Sequence, residues 1–109
     1  MLVLRAVADG PQHGHAVMRK IRADSGHALG LEEGSLYPAL HRLVRKKLLA
    51  AQWGESENRR RARFYRLTAT GRRALERERN SWQKLVAAIN AVLAGGASPA
   101  RFTGAPWAR

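Results

Sequence analysis

The chain has no cysteine among its 109 residues, which excludes disulfides and thiolate metal sites. It has no apolar run long enough to span a membrane. Met1-Leu2-Val3-Leu4 is too short for a secretory leader and has no basic region ahead of it. Carboxylates are scarce, with 8 Asp and Glu against 20 Lys and Arg. No acid–base pair stands out, and Ser35 lies in a helical motif rather than a strand-to-helix elbow. An enzyme is not expected. His13, His15, His27 and His41 lack the spacing of a metal site, so neither metal nor cofactor is expected.

What is present suits one small soluble domain in the cytoplasm. Hydrophobic residues make up 45% of the chain, enough for a core and too many for a disordered polycation. The net charge is +12 and the sequence pI about 11.7, so polyanions should be attracted. Residues 55–79 hold 9 basic and 4 acidic side chains, including Arg59-Arg60-Arg61 and Arg63. By composition alone such a run could be a solvated loop. Its place between two strand-like segments favours a function.

The periodicities give an order of elements. A short apolar segment, Leu2 to Ala8, ends at Asp9-Gly10-Pro11. A helix is predicted from Gly14 to Ser25, with Val17, Met18 and Ile21 on one side and Gly26 as its terminating glycine. A second is predicted from Glu33 to Lys47, because Leu36, Leu40, Leu43 and Val44 form one stripe. Pro38 either sits in the first turn of a helix that starts late or removes a hydrogen bond within it. Leu49–Trp53 and Ala62–Leu67 read as strands around a polar tip, Gly54 to Arg61. Thr68 caps a last helix to about Ala94, with Leu75, Trp82 and Ile89 at heptad spacing and Val86 and Leu93 in step. Leu85 and Val92 widen that stripe. Residues 95–109 read as a flexible tail.

The expected fold is mainly α with a small β-hairpin wing: a winged helix-turn-helix over residues 1–68 and one long C-terminal helix over 69–94. The helix at 33–47 offers Ser35, Tyr37, His41, Arg42, Arg45 and Lys46 to a major groove. The wing offers Arg59, Arg60, Arg61 and Arg63 to phosphates or a minor groove. The long helix has no partner in so short a chain, so a homodimer through Leu75, Trp82, Leu85, Val86, Ile89, Val92 and Leu93 is the simplest answer.

These residues also resemble a known family. His13-Gly14 after Gly10-Pro11, the run Glu33-Gly34-Ser35-Leu36-Tyr37-Pro38-Ala39-Leu40-His41-Arg42-Leu43, Trp53-Gly54-Glu55, and Arg61 to Thr68 with Gly71 look like a PadR-family transcriptional regulator. The resemblance covers residues 2 to about 94. It implies a dimeric winged-helix protein that binds a pseudo-palindromic DNA operator, usually as a repressor. The single long helix matches the short subfamily. There it implies a slot for a planar aromatic effector, with Trp82 facing its copy in the other subunit. The alternative is a small basic protein that binds nucleic acid without sequence preference.

Overall fold

The computed structural model describes residues 1–95. The elements are α1 (Leu2–Ala6), β1 (Gln12–His13), α2 (Gly14–Asp24), α3 (Glu33–Arg45), β2 (Leu49–Glu55), β3 (Arg61–Leu67) and α4 (Ala69–Leu93). They fall into two compact units, Met1–Glu78 and the part of the chain from Arg79 on. The tail expected at 95–109 lies, from residue 96, outside the described residues. Among the described residues no helix is long and apolar enough to cross a membrane.

The first unit is the winged helix. Its core gathers Val3, Leu4, Ala6 and Val7 from the N-terminal turn, Val17 and Ile21 from α2, and Leu36 and Leu40 from α3. Leu49, Tyr65, Ala74 and Leu75 complete it. Fully burying an aliphatic side chain of this kind stabilises by about 1.5–3 kcal/mol. Burial also pushes the Tyr65 phenol above its ordinary range; nearby Arg63 opposes that shift and Tyr37 adds to it.

The sheet has three antiparallel strands in the order β1-β3-β2. The hairpin agrees with the sequence pattern, and β1 has no counterpart in it. Two residues between Gly10-Pro11 and a helix show no alternation, so only the pairing of Gln12 with Tyr65 and His13 with Phe64 reveals the strand. The hairpin strands also run longer than their hydrophobic pattern suggests. Glu55 pairs with Arg61, which shortens the expected tip to Ser56–Arg60.

Two helix ends are closed alike. At α2, Gly26 adopts φ 61°, with its N–H donating to the Ala23 carbonyl and that of His27 to Arg22. These paired bonds satisfy carbonyls that the helix end leaves free. At α3 the helix stops at Arg45, two residues short of the expected Lys47. The N–H of Lys47 donates to Val44 and that of Leu48 to Leu43, with Lys47 at φ 61°. A lysine therefore holds a left-handed position that glycine fills at α2. The helix begins at Glu33, so Pro38 is its sixth residue and leaves the Gly34 carbonyl without an intrahelical donor.

Thr68 then turns the chain into α4. Its hydroxyl oxygen accepts from the Gly71 N–H at 2.9 Å, as a capping residue should, and its hydroxyl donates to the Lys47 carbonyl at 2.7 Å. Its N–H donates to the Leu48 carbonyl. Gly71 lies so close that a Cβ there would collide with the Leu48 carbonyl oxygen. Leu75, expected on the exposed dimer stripe, is instead in the core of the first unit, 7% exposed. A heptad pattern gives the spacing of apolar residues and not the partner each one meets.

Lys47→Gly should stabilise the protein by about 1 kcal/mol, because glycine adopts the left-handed conformation without the penalty a Cβ brings. Urea unfolding would show a higher midpoint with an unchanged slope. A lower midpoint would mean that the Lys47 side chain contributes more than its backbone geometry costs.

Candidate nucleic-acid interface

α3 separates its two sides cleanly. Leu36 and Leu40 are fully buried, whereas Ser35, His41, Arg42 and Arg45 lie toward the surface. His41, Arg42 and Arg45 line a hollow of about 610 Å³ whose far wall includes Arg63 from β3. The structure thus joins the outer face of α3 to the wing strand. Lys46 is exposed in the cap after the helix rather than within it.

Tyr37 differs from its neighbours on α3. It is half-buried and packs against the core, and its ring lies across the first residue of α2. A Cβ on Gly14 would come within 2.7 Å of the Tyr37 hydroxyl oxygen. Gly14 therefore makes room for Tyr37, which sits at the edge of the fold and still lines a surface hollow.

In the wing, Arg59 and Arg60 occupy the turn, while Arg61 and Arg63 belong to β3. The turn is tight. The Ser56 N–H donates to the Arg60 carbonyl at 2.8 Å, the Arg59 N–H donates to the Ser56 carbonyl, and Arg59 has φ 57°. Arg61 lies over the Trp53 ring, 4.6 Å from its centroid.

Two of the acids near this surface are engaged elsewhere. Glu57 pairs with Arg19 at 3.0 Å and reaches His13 at 3.9 Å, and Glu33 meets His15 at 3.3 Å. Among the described residues, no ion pair involves Arg42, Arg45, Lys46, Arg59, Arg60, Arg61 or Arg63. Their charge is free to meet an anion.

Several residues here carry no functional signal in the sequence. His13 accepts the Ala16 N–H on Nδ1, capping α2, and stands edge-on to Phe64 at 5.6 Å. Histidine is not a common cap, so its residue type does not announce this role. Arg19 and Glu57 are 38 residues apart and meet only through the fold. Trp53 reads as part of a strand, yet it is 60% exposed.

In the second unit, the exposed large apolar side chains of α4 are Trp82, Leu85, Ile89, Val92 and Leu93. Val86 is half-buried. Trp82 is 52% exposed, and Val92 and Leu93 are more than 70% exposed.

Helices α2 and α3, the three-stranded sheet and a basic hairpin beside the exposed face of α3 define a winged-helix transcriptional regulator. Residues 3–77 match the Transcriptional regulator PadR-like family, and the chain belongs to it. The family is one of regulators rather than enzymes. The chain is 48% identical over 85 residues to an uncharacterized 37.1 kDa protein in transposon TN4556 of Streptomyces fradiae. That match covers 78% of this chain and 23% of the much longer relative. It is 35% identical over 83 residues to the transcriptional regulator Rv3488 of Mycobacterium tuberculosis, covering 76% of this chain and 74% of that protein. A solved PadR-family transcriptional regulator from Eggerthella lenta superimposes with a TM-score of 0.69 at 29% identity, covering 84% of this chain and 80% of the other.

Gly14→Ala should lower stability by about 1–3 kcal/mol, the usual cost of forcing a methyl into packed space. The cost should largely vanish in a Tyr37→Ala background, where the ring it meets is gone. Unfolding of the two single variants and the double variant measures the coupling. Additive effects would show that Tyr37 does not lie across Gly14 in solution.

Proposed function

We propose that this protein is a cytoplasmic, sequence-specific DNA-binding regulator, binding a pseudo-palindromic operator as a homodimer and acting as a repressor. The observation that carries this reading is the unpaired cation surface shared by α3 and the wing. Ser35, Tyr37, His41, Arg42, Arg45 and Lys46 are assigned to the groove and its flanking phosphates. Arg59, Arg60, Arg61 and Arg63 are assigned to the adjoining backbone. More than half of protein–DNA hydrogen bonds go to sugar and phosphate, so most of these arginines position the protein and few read bases.

The exposed stripe from Trp82 to Leu93 supports the dimer. A helix that bares this much apolar area gains by covering it with a second copy, and two-fold pairing matches two half-sites about 34–36 Å apart. Trp82, half exposed within the stripe, is assigned as the wall of a slot for a planar aromatic effector. Such an effector would release DNA only through unequal affinity for two dimer geometries.

Arg59→Ala combined with Arg60→Ala removes four arginines from a dimer, so it should weaken binding on all DNA sequences and flatten the salt dependence by up to about 3.6 units of log–log slope, roughly 0.9 per phosphate lost. A titration across salt concentrations checks this, and an unchanged slope would show that the wing turn does not touch DNA. A footprint on the promoter beside its own gene tests specificity. Equal affinity there and on random DNA would instead favour non-specific nucleic-acid binding.

Two substitutions probe the stripe. Ile89→Glu should convert the dimer to monomer in sedimentation at micromolar concentration, since it buries an unpaired charge at the seam. Trp82→Ala should abolish fluorescence quenching by planar dyes while other tryptophans remain. Dimers that persist in the first variant would overturn the assigned seam, and dye binding that persists in the second would overturn the slot.

A further inference from the structure

A tryptophan ordinarily buries most of its ring, yet Trp53 on β2 is 60% exposed. It is directly opposite Arg63, and the next same-face pair is Glu55 with Arg61. By strand alternation Trp53, Arg61, Arg63 and Tyr65 share one face of the sheet. Tyr37 from α3 and His15 from the start of α2 close the other sides of a hollow of about 230 Å³. Among the described residues no carboxylate lines this hollow. Glu55, although opposite Arg61, makes no ion pair with it among the described residues.

We propose that this corner seats one phosphodiester of a DNA strand, with Arg61 and Arg63 holding the phosphate and the Trp53 ring packing the adjoining deoxyribose. The proposal rests on the DNA-binding reading and adds a contact outside the exposed face of α3 and the wing turn. Three observations lead to it.

The first is location. The hollow draws Tyr37 from α3 and Arg61 and Arg63 from the wing strand. With α3 in a major groove and the wing at the neighbouring minor groove, the strand separating the two grooves runs between those elements. A seat built from both lies beneath it. The second is chemistry. A sugar–phosphate unit is an anion joined to a largely apolar ring, and the corner sets two guanidiniums beside an indole. A bare anion would use the indole only to order Arg61, whereas a sugar can also pack against the ring. The third is order. Arg61 lies over the Trp53 ring, 4.6 Å from its centroid, and that cation–π contact restrains its guanidinium. Arg61 loses less rotamer freedom on binding than a free arginine would.

The test measures binding of a short random-sequence duplex by anisotropy, for wild type and for Trp53→Phe, Trp53→Ala and Trp53→Lys. Because Trp53 is mostly exposed, all three should fold, and thermal melts confirm it. Trp53→Phe should stay close to wild type, and Trp53→Ala should lose about tenfold, at the low end for an aromatic contact with nucleic acid. Trp53→Lys is the sharper variant, because its added positive charge should tighten binding if only net charge matters. The seat predicts weaker binding instead. An affinity of the Trp53→Lys variant equal to or above wild type overturns the proposal. If wild type binds no duplex at all, the DNA-binding reading fails and the seat falls with it. If wild type binds and the Trp53→Lys variant is unimpaired, the seat alone falls.

A second readout separates a sugar–phosphate from a plain anion. The Trp53 indole N–H resonance, assigned by its loss in Trp53→Phe, should shift with a thymidine dinucleotide at lower concentration than with inorganic phosphate. Equal response to both would overturn the sugar contact.

Discussion

The fold depends on how closely the start of α4 approaches the end of α3. α3 must release its last carbonyls, and the Lys47 turn satisfies two of them while reversing the chain into β2. Thr68 returns at the far end of the hairpin and bonds to the Lys47 and Leu48 carbonyls. Gly71 permits that contact because it carries no Cβ. The hairpin therefore leaves and re-enters the core at one point, where Leu49 pairs with Leu67. That closure fixes where the wing projects relative to α3. It is why Arg63, from a distant part of the chain, lines the same hollow as His41, Arg42 and Arg45.

The second constraint is electrostatic. With so few acids, their placement matters more than their number. Glu57 lies in the basic wing turn but is drawn to Arg19 on α2, and Glu33 at the start of α3 is drawn to His15. Such exposed pairs contribute little to stability, about 0–1 kcal/mol each. Their consequence is instead to leave the cations of the wing and α3 without internal partners. A surface charged in this way gains most by releasing the counterions around a polyanion. The total of +12 is thus less informative than the addresses of the cations that remain unpaired.

Much of this is legible in the sequence because it depends on local physics. The Leu36–Leu40 stripe, the Thr68 cap, the Gly26 terminator and the hairpin all follow from periodicity and from which residues satisfy free backbone groups. The resemblance to the PadR family adds the expectation of an effector, which spacing alone does not supply. What is not legible depends on contacts far apart in sequence. The two-residue β1 exists only because β3 is beside it. Tyr37 stands at the edge of the α3 stripe by angle, but the place Gly14 opens for its ring against α2 is not visible in the spacing. Leu75 shares a heptad with Trp82 and Ile89, yet it joins the core formed by α1, α2, α3 and the sheet. Glu55 and Arg61 look like parts of a loop because polar side chains conceal strand pairing when both faces are exposed.

The bias toward arginine, 16 against 4 lysines, acquires a physical meaning at Trp53. A lysine beside that indole could offer a point charge, but its ammonium is strongly hydrated and cannot lie flat on the ring. A guanidinium can stack through its face and still donate through its edge. Arg61 therefore covers part of an exposed tryptophan while remaining available to an anion. That double role removes the apparent conflict of a large aromatic left in solvent on a small domain. It also explains why the residue that fixes Arg61 need not itself carry charge. On the proposed reading, the organisation of the wing depends on the aromatic ring at position 53 as well as on net charge.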